Sequence, residues 1–594
     1  MKPSEDKQAL IILCLLGILP VIWIALLLAP YLESGIIKAI PVIPQILAKP
    51  FDIIFCEDSL KTVLVFLLCY GLGIGIYSST KKNYRREEEH GSSKWGSTQK
   101  ISKIYKDAPY ESNKILTQNV LIGLNTRKHR RNLNTIVCGG SGSGKTRFYC
   151  KPNLMQANTS FVVLDPKGEL LRDTGNLLKA KGYEIRVLDL ISMEKSHSYN
   201  PFHYLKTDND VQKLVTNLFQ STTPKGTQKS DPFWDTAAAM LLLAIIFYLH
   251  YEAPKEEQNF SMVLELLRAG NIEDEEDAGP SPLDTLFDEL EMEQPEHIAL
   301  KYYRSYRSGS AKTLKSIQIT LASRLEKFNL ESLASLTATD ELDLGTLGEK
   351  KVALFALIPD NDSSFSFLVS VLYGQLFQQL FYMADHVYGG TLPVPVHFLM
   401  DEFANVTLPD DFEKLLSVMR SRGIFVSIIL QNISQLKALF EKQWESIVGN
   451  CDEFLFLGGN EQSTHKYVSE LLGKETIHFD TYGKSTGHSG NYSTNYQIGG
   501  RELLTPSEVR MMDNRHALLF IRGELPVIDT KYDILKHPNI TLTADGNVKN
   551  YRHGVVRDDV ASIAIERTSN QNCTEPKIPT VETNYVLLSC EDLS

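Results

Sequence analysis

The sequence has no excess of basic residues: 72 aspartates and glutamates outnumber its 61 lysines and arginines, and the formal net charge of the 594 residues is −11. Binding of nucleic acid without sequence preference needs lysine and arginine clustered at the phosphates. A basic surface over the whole molecule is therefore excluded, and any contact with DNA must come from a local channel or from a partner.

Paired cysteines and internal repeats are also lacking. The eight cysteines include no C-x-x-C pair and no spacing typical of metal ligands. We therefore expect no disulfide framework, and this cysteine usage is typical of a reducing compartment. We find no internal repeats.

Two long apolar runs lie near the N-terminus. Residues 9–28, ALIILCLLGILPVIWIALLL, contain no charge and are long enough to cross the hydrocarbon of a bilayer. Residues 63–77, VLVFLLCYGLGIGIY, form a second candidate once flanking residues are added. We predict a membrane anchor over residues 1–80 with transmembrane helices at about 9–29 and 60–78. A cleaved signal peptide is the alternative for the first run, but no small-residue cleavage site follows it.

Basic residues close to the second run predict the orientation. The loop between the runs carries only Lys38 and Lys49, whereas four basic residues directly follow the second run: Lys81, Lys82, Arg85 and Arg86. Cytoplasmic flanks of membrane helices are enriched in lysine and arginine. The sequence therefore predicts a multi-pass protein of the cytoplasmic (inner) membrane, with its N-terminus and everything after residue 80 in the cytoplasm.

The remainder of the chain predicts an α/β fold interrupted by a helical region. Apolar strands alternate with amphipathic helices over 81–204 and again over 346–545, which indicates a parallel sheet covered on both faces. Residues 205–345 show almost no strand signal and are predicted to be an all-α insertion. Within the second α/β part, 480–500 is predicted to be a mobile loop, HALLFIRG and PVIDTKY a closing hairpin, and 546–594 a disordered tail.

A complete phosphate-binding motif follows the first predicted strand of the α/β part. The segment GGSGSGKT fits G-x-x-x-x-G-K-[ST] and lies between a predicted strand and a predicted helix. Its glycines allow backbone N–H groups to converge on an anion, its lysine neutralises β- and γ-phosphate charge, and its threonine hydroxyl can bind Mg²⁺. The predicted nucleotide-binding residues are Gly139, Gly140, Ser141, Gly142, Ser143, Gly144, Lys145 and Thr146.

An acid at the end of a second strand must hold the metal ion, and two candidates exist. Asp165 ends SFVVLD, and Asp401 ends VPVHFLMD and is followed by Glu402. We favour Asp401 as the Mg²⁺ ligand with Glu402 as the base that activates water, because hydrolysis needs both an acid at the metal and a base. We expect Lys145 and Thr146 to meet this pair across adjacent strands of one sheet.

One further polar residue ends a predicted strand. Gln431 follows IFVSIIL, thirty residues after Asp401. If its strand neighbours the metal strand, the amide lies beside the γ-phosphate, where it could sense the phosphate or position the water. The alternative is an ordinary polar residue at a strand end.

An ordered set of motifs resembles one protein family from about residue 9 to about residue 535. The motifs are HGSSKWGS (90–97), LDPKGEL (164–170), FWDTAA (233–238), LMDEFAN (399–405), SRGIFVSIILQNISQL (421–436) and RELLTPSEV (501–509). They are similar to those of the type IV coupling proteins of conjugation, the TraG-like conjugal transfer ATPases. Glu502 stands where the family usually has a proline, which affects only the local turn.

The resemblance implies a RecA-like P-loop domain with an all-α domain set into it. It further implies a homo-hexameric ring at the membrane that recruits a relaxase bound to single-stranded DNA and passes it to a type IV secretion channel by ATP hydrolysis with Mg²⁺. In such rings an arginine from the neighbouring subunit stabilises the transferring charge. Arg420 matches that position, with Arg422 and then Arg501 as alternatives. The all-α domain is the natural docking region for the substrate.

Other interpretations stay open at this point. The protein could be a substrate receptor whose ring ATP merely orders, a double-strand DNA translocase of the FtsK-like kind, or an exporter of protein alone. Residues 481–500 could stack DNA bases in a pore, although a flexible exterior loop is the alternative. The candidate stacking and phosphate-binding residues there are Tyr482, Lys484, Tyr492 and Tyr496.

Overall fold

A computed structural model describes most of the chain. The described residues are 14–32, 50–80, 88–223, 232–270, 279–362, 364–406, 408–409, 411–484 and 492–554. They divide into two compact units, one comprising Met1–Ser92 with Thr476–Gly500 and the other Ser93–Glu475 with Arg501–Ser594.

The first unit contains two apolar helices, α1 (Ile18–Leu32) and α2 (Ser59–Thr80). The helices approach closely at Gly17, where a Cβ atom would collide with the hydroxyl of Tyr70. That hydroxyl donates a 3.0 Å hydrogen bond to the carbonyl oxygen of Cys14. By length and composition Cys14–Leu32 and Ser59–Tyr77 can each cross a membrane. They overlap the two predicted spans, about 9–29 and 60–78, and residues 9–13 fall outside the described part.

A third helix is also long and apolar enough to cross a membrane, but the protein itself surrounds much of it. Half of the Pro232–Glu252 window is buried inside the structure, against 6% for Ser59–Tyr77. Its buried residues join the core shared with the central sheet. Its apolar character is therefore explained by packing within the protein.

Two short strands, β1 (Asn113–Ile115) and β2 (Leu121–Gly123), form a small separate sheet that the sequence did not indicate. Nine further strands form the central sheet of the second unit: β3 (Thr135–Cys138), β4 (Ser160–Asp165), β5 (Glu184–Asp189), β6 (Val352–Leu357), β7 (Val396–Met400), β8 (Ile424–Leu430), β9 (Glu453–Phe456), β12 (His516–Ile521) and β13 (Val527–Thr530). Their order across the sheet is β13-β12-β9-β3-β8-β7-β4-β6-β5. The seven strands from β9 to β5 run parallel, and β12 and β13 are antiparallel, as the predicted closing hairpin requires. The prediction of a mainly parallel sheet is confirmed.

Helices cover both faces of this sheet, so its central strands are apolar on both sides. Side chains alternate between two cores: Ile136 of β3 belongs to one and Val137 to the other. The helices of the second unit, in chain order, are α3 (Thr98–Tyr105), α4 (Thr126–His129), α5 (Lys151–Met155), α6 (Glu169–Ala180), α7 (Asp208–Thr222), α8 (Pro232–Glu252), α9 (Phe260–Ala269), α10 (Pro282–Glu293), α11 (Ile298–Arg307), α12 (Ala311–Leu325), α13 (Glu331–Leu336), α14 (Ser366–Tyr382), α15 (Phe412–Met419), α16 (Ile433–Phe440), α17 (Trp444–Gly449), α18 (Gln462–Leu472) and α19 (Pro506–Arg510).

Helices α7 to α13 occupy the predicted insertion, and the described residues of 205–345 contain no strand. Helix α14 joins this region to the sheet, with 13 of its 17 residues buried. Helix α7 packs on α14 closely enough that a Cβ at Gly374 would collide with the side chain of Asn217. The helical region therefore shares a core with the sheet.

The prediction of a loop over 480–500 is wrong for the described residues. Strands β10 (Lys474–Lys484) and β11 (Tyr492–Glu502) form a two-stranded sheet, and 485–491 lie outside the described part. Few apolar residues mark these strands because, in the part whose burial is described, most side chains are not buried. Of the proposed base-stacking residues, Tyr496 on β11 is 79% exposed. The side chains of Tyr482, Lys484 and Tyr492 lie outside the described residues.

The predicted tail begins too early. The backbone N–H of Tyr551 donates to the carbonyl oxygen of Arg172 at 2.8 Å, and the amide of Asn176 donates to that of Lys549 at 2.7 Å. The Tyr551 ring leaves no room for a Cβ at Gly175. Residues up to Tyr551 are thus held on α6. The remaining predicted tail beyond 554 lies outside the described residues.

Candidate nucleotide site

The glycine-rich loop is held between two strand ends. The N–H of Gly139 donates to the carbonyl of Leu430 at the end of β8 (3.0 Å), and the N–H of Gly140 donates to that of Gly458 after β9 (2.8 Å). Gly142 (φ +76°) and Gly144 (φ +83°) adopt left-handed backbone conformations that glycine reaches without steric cost. The motif's glycines therefore serve the turn that aims the loop at the carboxyl edge of the sheet.

Lys145 begins a helical segment that continues through a π-helical turn, Thr146–Cys150, into α5. Single π turns inside helices occur often at functional sites. The Lys145 ammonium donates to the carbonyl oxygen of Gly139 at 2.8 Å, so the lysine side chain folds back over the glycine-rich loop. The hydroxyl of Ser143 in the same loop is buried and has no hydrogen-bond partner within the part of the chain that is described.

Thr146 and Asp401 are in direct contact: the threonine Oγ1 donates to the carboxylate Oδ2 at 2.7 Å. Asp401 follows β7 and is 5% exposed. Burial raises its pKa, although the Thr146 hydrogen bond and the charge of Lys145 partly offset this. The expectation of adjacent strands is wrong, because β8 lies between β3 and β7. The hydrogen bond between Thr146 and Asp401 therefore spans the end of β8.

The rival candidate Asp165 lies beside Asp401. Strands β4 and β7 are neighbours and Leu164 is level with Met400, so Asp165 and Asp401 each come one residue after this pair. Burial, together with the charge of Asp401, raises the pKa of Asp165 to about 6. Its Oδ2 accepts a hydrogen bond from the N–H of Leu171 at 2.9 Å, in the first turn of α6. Asp165 therefore holds the β4–α6 turn, whereas Asp401 contacts the loop threonine.

Glu402 sits at the bend where β7 ends. Its φ of +56° is left-handed, which is uncommon for a residue other than glycine and often marks a functional site. Its Oε2 accepts a hydrogen bond from the amide of Asn405 at 3.2 Å. The bend places Glu402 directly after the buried aspartate, at the same edge of the sheet as the glycine-rich loop.

Gln431 lies between the glycine-rich loop, which follows β3, and Asp401, which follows β7. It directly follows Leu430, whose carbonyl accepts the hydrogen bond of Gly139, and β8 separates the loop strand from the Asp401 strand. Its backbone N–H donates to the side chain of Gln435 at 2.9 Å. The adjacency on which its proposed role depends, between β8 and β7, is present.

Arg420 lies at the opposite edge of the sheet. It starts the turn Arg420–Arg422 that precedes β8, is exposed, and donates to the carbonyl of Thr126 at 3.2 Å. Because β8 has seven residues, its length separates Arg420 from the loop of its own chain by about 20 Å, which no side chain spans. The structure therefore does not bring Arg420 to the site of its own chain.

The two alternative arginines are held by carboxylates. Arg422 makes a bidentate pair with Asp385 through 2.9 and 2.7 Å hydrogen bonds, and Arg501 donates to Glu508 at 2.5 Å. Among the three arginine candidates, Arg420 alone makes no ion pair with a carboxylate in the described part of the chain.

Lys531, which follows β13, contacts the glycine-rich loop although no sequence motif includes it. It is 6% exposed, and its Nζ donates to the carbonyl oxygen of Ser143 at 2.9 Å and to Oδ1 of Asn514 at 2.8 Å. Burial lowers the pKa of Lys531 to about 8. The residue belongs to no motif and is 388 positions from Ser143, so no local pattern could reveal the contact.

A family model described as "Type IV secretory system Conjugative DNA transfer" matches residues 91–551, which is most of the chain. The chain belongs to this family. The resemblance of its motifs to those of type IV coupling proteins is thereby confirmed.

Two curated relatives of this coupling-protein family come from Rhizobium radiobacter. The chain is 24% identical over 406 residues to Protein VirD4 and 23% identical over 405 residues to the conjugal transfer protein TraG. The alignments cover 66% of this chain but 56% and 60% of the relatives, so the chain matches little more than half of their length.

The solved structures of the coupling protein TrwB share the fold. TrwB in complex with the non-hydrolysable ATP analogue ADPNP superposes with a TM-score of 0.53 at 15% identity, over 74% of this chain and 93% of TrwB. The complex of TrwB with ADP and Mg²⁺ gives a TM-score of 0.51 over the same shares. At this identity the likeness establishes a TrwB-like α/β fold.

Proposed function

We propose that this protein is a membrane-anchored ATPase that couples DNA substrates to a type IV secretion channel during conjugation. The contact between Thr146 Oγ1 and Asp401 Oδ2, at the mouth of a complete phosphate-binding loop, carries the proposal. Membership of the conjugative DNA-transfer family supports the biological setting. The relaxase bound to single-stranded DNA is the proposed cargo.

The residues of the site fit a nucleotide with Mg²⁺. Two buried acids with raised pKa values, Asp165 and Asp401, lie together, and a divalent cation would relieve their mutual repulsion. Thr146 and Asp401 supply the hard oxygen ligands that Mg²⁺ prefers. When bound, Mg²⁺ would neutralise phosphate charge. The loop from Gly139 to Thr146 would bind the phosphates, and its Ser143 hydroxyl, which is buried and has no hydrogen-bond partner among the described residues, is a ready donor.

Glu402 and Gln431, at the carboxyl edge of the sheet, take part in hydrolysis in this proposal. Glu402 takes the proton of the attacking water, and Gln431, between the loop and Asp401, positions that water or senses the γ-phosphate. TrwB binds ADPNP, and also ADP with Mg²⁺, on a similar fold, which supports adenine nucleotide as the substrate class.

A ring completes the site in this proposal. Arg420 is exposed on the far edge of the sheet from its own loop, so it can act only on the nucleotide of another subunit. A head-to-tail arrangement that closes on itself produces such shared sites. We propose a homo-hexamer in which each nucleotide lies between two subunits.

The apolar helices α1 and α2 anchor the ring in the cytoplasmic membrane, with the ATPase body in the cytoplasm. The basic residues after α2 set this orientation. The helical region α7 to α13 is the proposed docking surface for the relaxase.

Exchange of Glu402 for glutamine tests the motor function. We expect Glu402→Gln to bind ATP as the wild type does but to hydrolyse it about 10²- to 10⁴-fold more slowly, since the general base is lost. Conjugative transfer should then stop. Glu445→Gln, at an exposed glutamate of α17, is the matched control and should behave like the wild type.

Binding, phosphate release and mating frequency are the three measurements. Transfer that continues without hydrolysis would instead support a receptor whose ring ATP merely orders. A wild-type protein that neither binds nor hydrolyses ATP would refute the assignment altogether.

A further inference from the structure

The peptide between Ser143 and Gly144 belongs to the phosphate-binding loop and can turn over easily. Gly144 has φ +83°, a conformation open to glycine, and glycine offers little resistance to rotation of the peptide plane before it. Loops of this kind bind phosphate through backbone N–H groups. The orientation of this peptide therefore decides whether the N–H of Gly144 is available to the nucleotide.

Lys531 holds that peptide from one side. Its Nζ donates to the carbonyl oxygen of Ser143 at 2.9 Å. In a trans peptide the C=O and N–H groups point in opposite directions, and this peptide is trans. The contact with Lys531 therefore directs the N–H of Gly144 away from the lysine.

The lysine is itself fixed in place. Its Nζ also donates to Oδ1 of Asn514 at 2.8 Å, and it lies 5.4 Å from the ring centre of Phe148. The same ring packs so closely on Gly144 that a Cβ there would collide with it. With 6% of Lys531 exposed, the amine has little water to replace either hydrogen bond.

We propose that Lys531 is a positioning residue of the nucleotide site, which orients the phosphate-binding amide of Gly144 by holding the carbonyl group of the same peptide. This inference rests on the proposed nucleotide function and assigns a role in it to a residue outside the motif. Lys531 contacts the carbonyl oxygen of the peptide and not its N–H group, so it need not touch the nucleotide. Its charge adds to the positive potential of the loop.

The test measures nucleotide affinity rather than turnover, so it does not depend on hydrolysis. Full-length protein in detergent is titrated with the fluorescent analogue mant-ADP and Mg²⁺. Lys531→Met keeps the aliphatic stem against Phe148 but removes the donors, and we expect the Kd to rise by about 10- to 100-fold, the effect of losing one buried hydrogen bond to a charged group. Lys531→Arg keeps donors and charge and should stay within a few-fold of the wild type.

Lys536→Met is the matched control. Lys536 lies five residues further along, and its side chain is 65% exposed and paired with Asp533 at 3.8 Å. We expect its Kd to equal that of the wild type. A melting temperature recorded without nucleotide for each variant separates a general loss of stability from a loss of affinity.

Several outcomes would overturn the inference. One is a Kd for Lys531→Met within twofold of the wild type, and another is an equal loss for Lys531→Arg and Lys531→Met. If Lys531→Met does not fold, Asn514→Ala decides: a raised Kd with unchanged melting supports the role, and an unchanged Kd rejects it. A wild type that binds mant-ADP but does not hydrolyse ATP would reject the ATPase proposal and leave this inference standing, whereas one that binds no nucleotide rejects both.

Discussion

Sharing of the catalytic site between subunits can be tested at Arg420. This arginine lies at the amino edge of β8, whereas the loop that begins at Gly139 lies at the carboxyl edge of the neighbouring strand. Six residue steps along β8 place the two about 20 Å apart. If Arg420 contributes to hydrolysis, it does so in a neighbouring subunit.

The expected magnitude is large. An arginine that stabilises the charge of a transferring phosphoryl group contributes about 10³- to 10⁵-fold in rate, or about 4–7 kcal/mol of barrier. Arg420→Ala should therefore hydrolyse ATP at close to the background rate while its own loop still binds nucleotide. Lys145→Ala should be inactive for the complementary reason, because its loop is damaged while its arginine is intact.

Mixed rings distinguish a shared site from a local one. In rings assembled from equal amounts of the two variants, about one quarter of the interfaces combine an intact loop with an intact arginine, since each is present in about half of the subunits. Co-expressed, differently tagged variants purified through both tags should therefore recover about one quarter of the wild-type ATPase rate.

Two controls make the experiment decisive. Replacing the second variant by Lys145→Ala/Arg420→Ala should abolish the recovery, because no interface then has both groups. Arg268→Ala, at an exposed arginine paired within its own helix, should leave the rate unchanged. Doubly tagged rings that contain both single variants and show no recovery would refute the shared site, as would an active Arg420→Ala protein.

Two further predictions concern stability and pH. Lys114→Met should lower the free energy of unfolding by about 3–5 kcal/mol, because the side chains of Lys114 and Glu453 are 1% and 0% exposed and the carboxylate would lose its 2.9 Å partner. A calorimetric scan should show a lower melting temperature, and Lys114→Met/Glu453→Leu should recover most of the loss. Burial acts to raise the pKa of Glu461, but hydrogen bonds from Ser463 and Thr464 at the start of α18 outweigh it and lower the pKa to about 2. Because the folded pKa is depressed, this stabilisation is present above about pH 4.5 and is lost as the pH falls toward 2. At pH 7 the free energies of unfolding of wild type and Glu461→Gln should differ by about 1 kcal/mol. The melting temperatures of the two proteins should therefore converge in acid, and parallel curves would contradict the assignment.

The apolar pattern of a segment does not always indicate how its residues are buried. The segment 480–500 has few apolar residues, a pattern that predicts a loop, yet its described residues lie in β10 and β11. Period-2 apolar alternation arises only where one face of a strand is buried, and Tyr496 and Ile498 on β11 are exposed. The helix Pro232–Glu252 shows the reverse case, since its apolar composition suits a membrane as well as a protein core, and only its packing distinguishes them.

The sequence alone determined the features that are local in the chain. The eight residues of the phosphate-binding loop are contiguous, so their spacing indicates their geometry, and the buried strands appear as apolar runs because both faces of the sheet are covered. The same holds for the two N-terminal apolar helices, whose length is their signal.

Tertiary structure decided the relations between distant segments. Whether Asp165 or Asp401 faces Thr146 depends on the order of strands, and the insertion of β8 between β3 and β7 follows from crossover connections that no local pattern encodes. The contact between Lys531 and the loop joins residues 388 positions apart. A short motif specifies its own backbone, whereas the neighbours of that motif are chosen by the packing of the whole sheet.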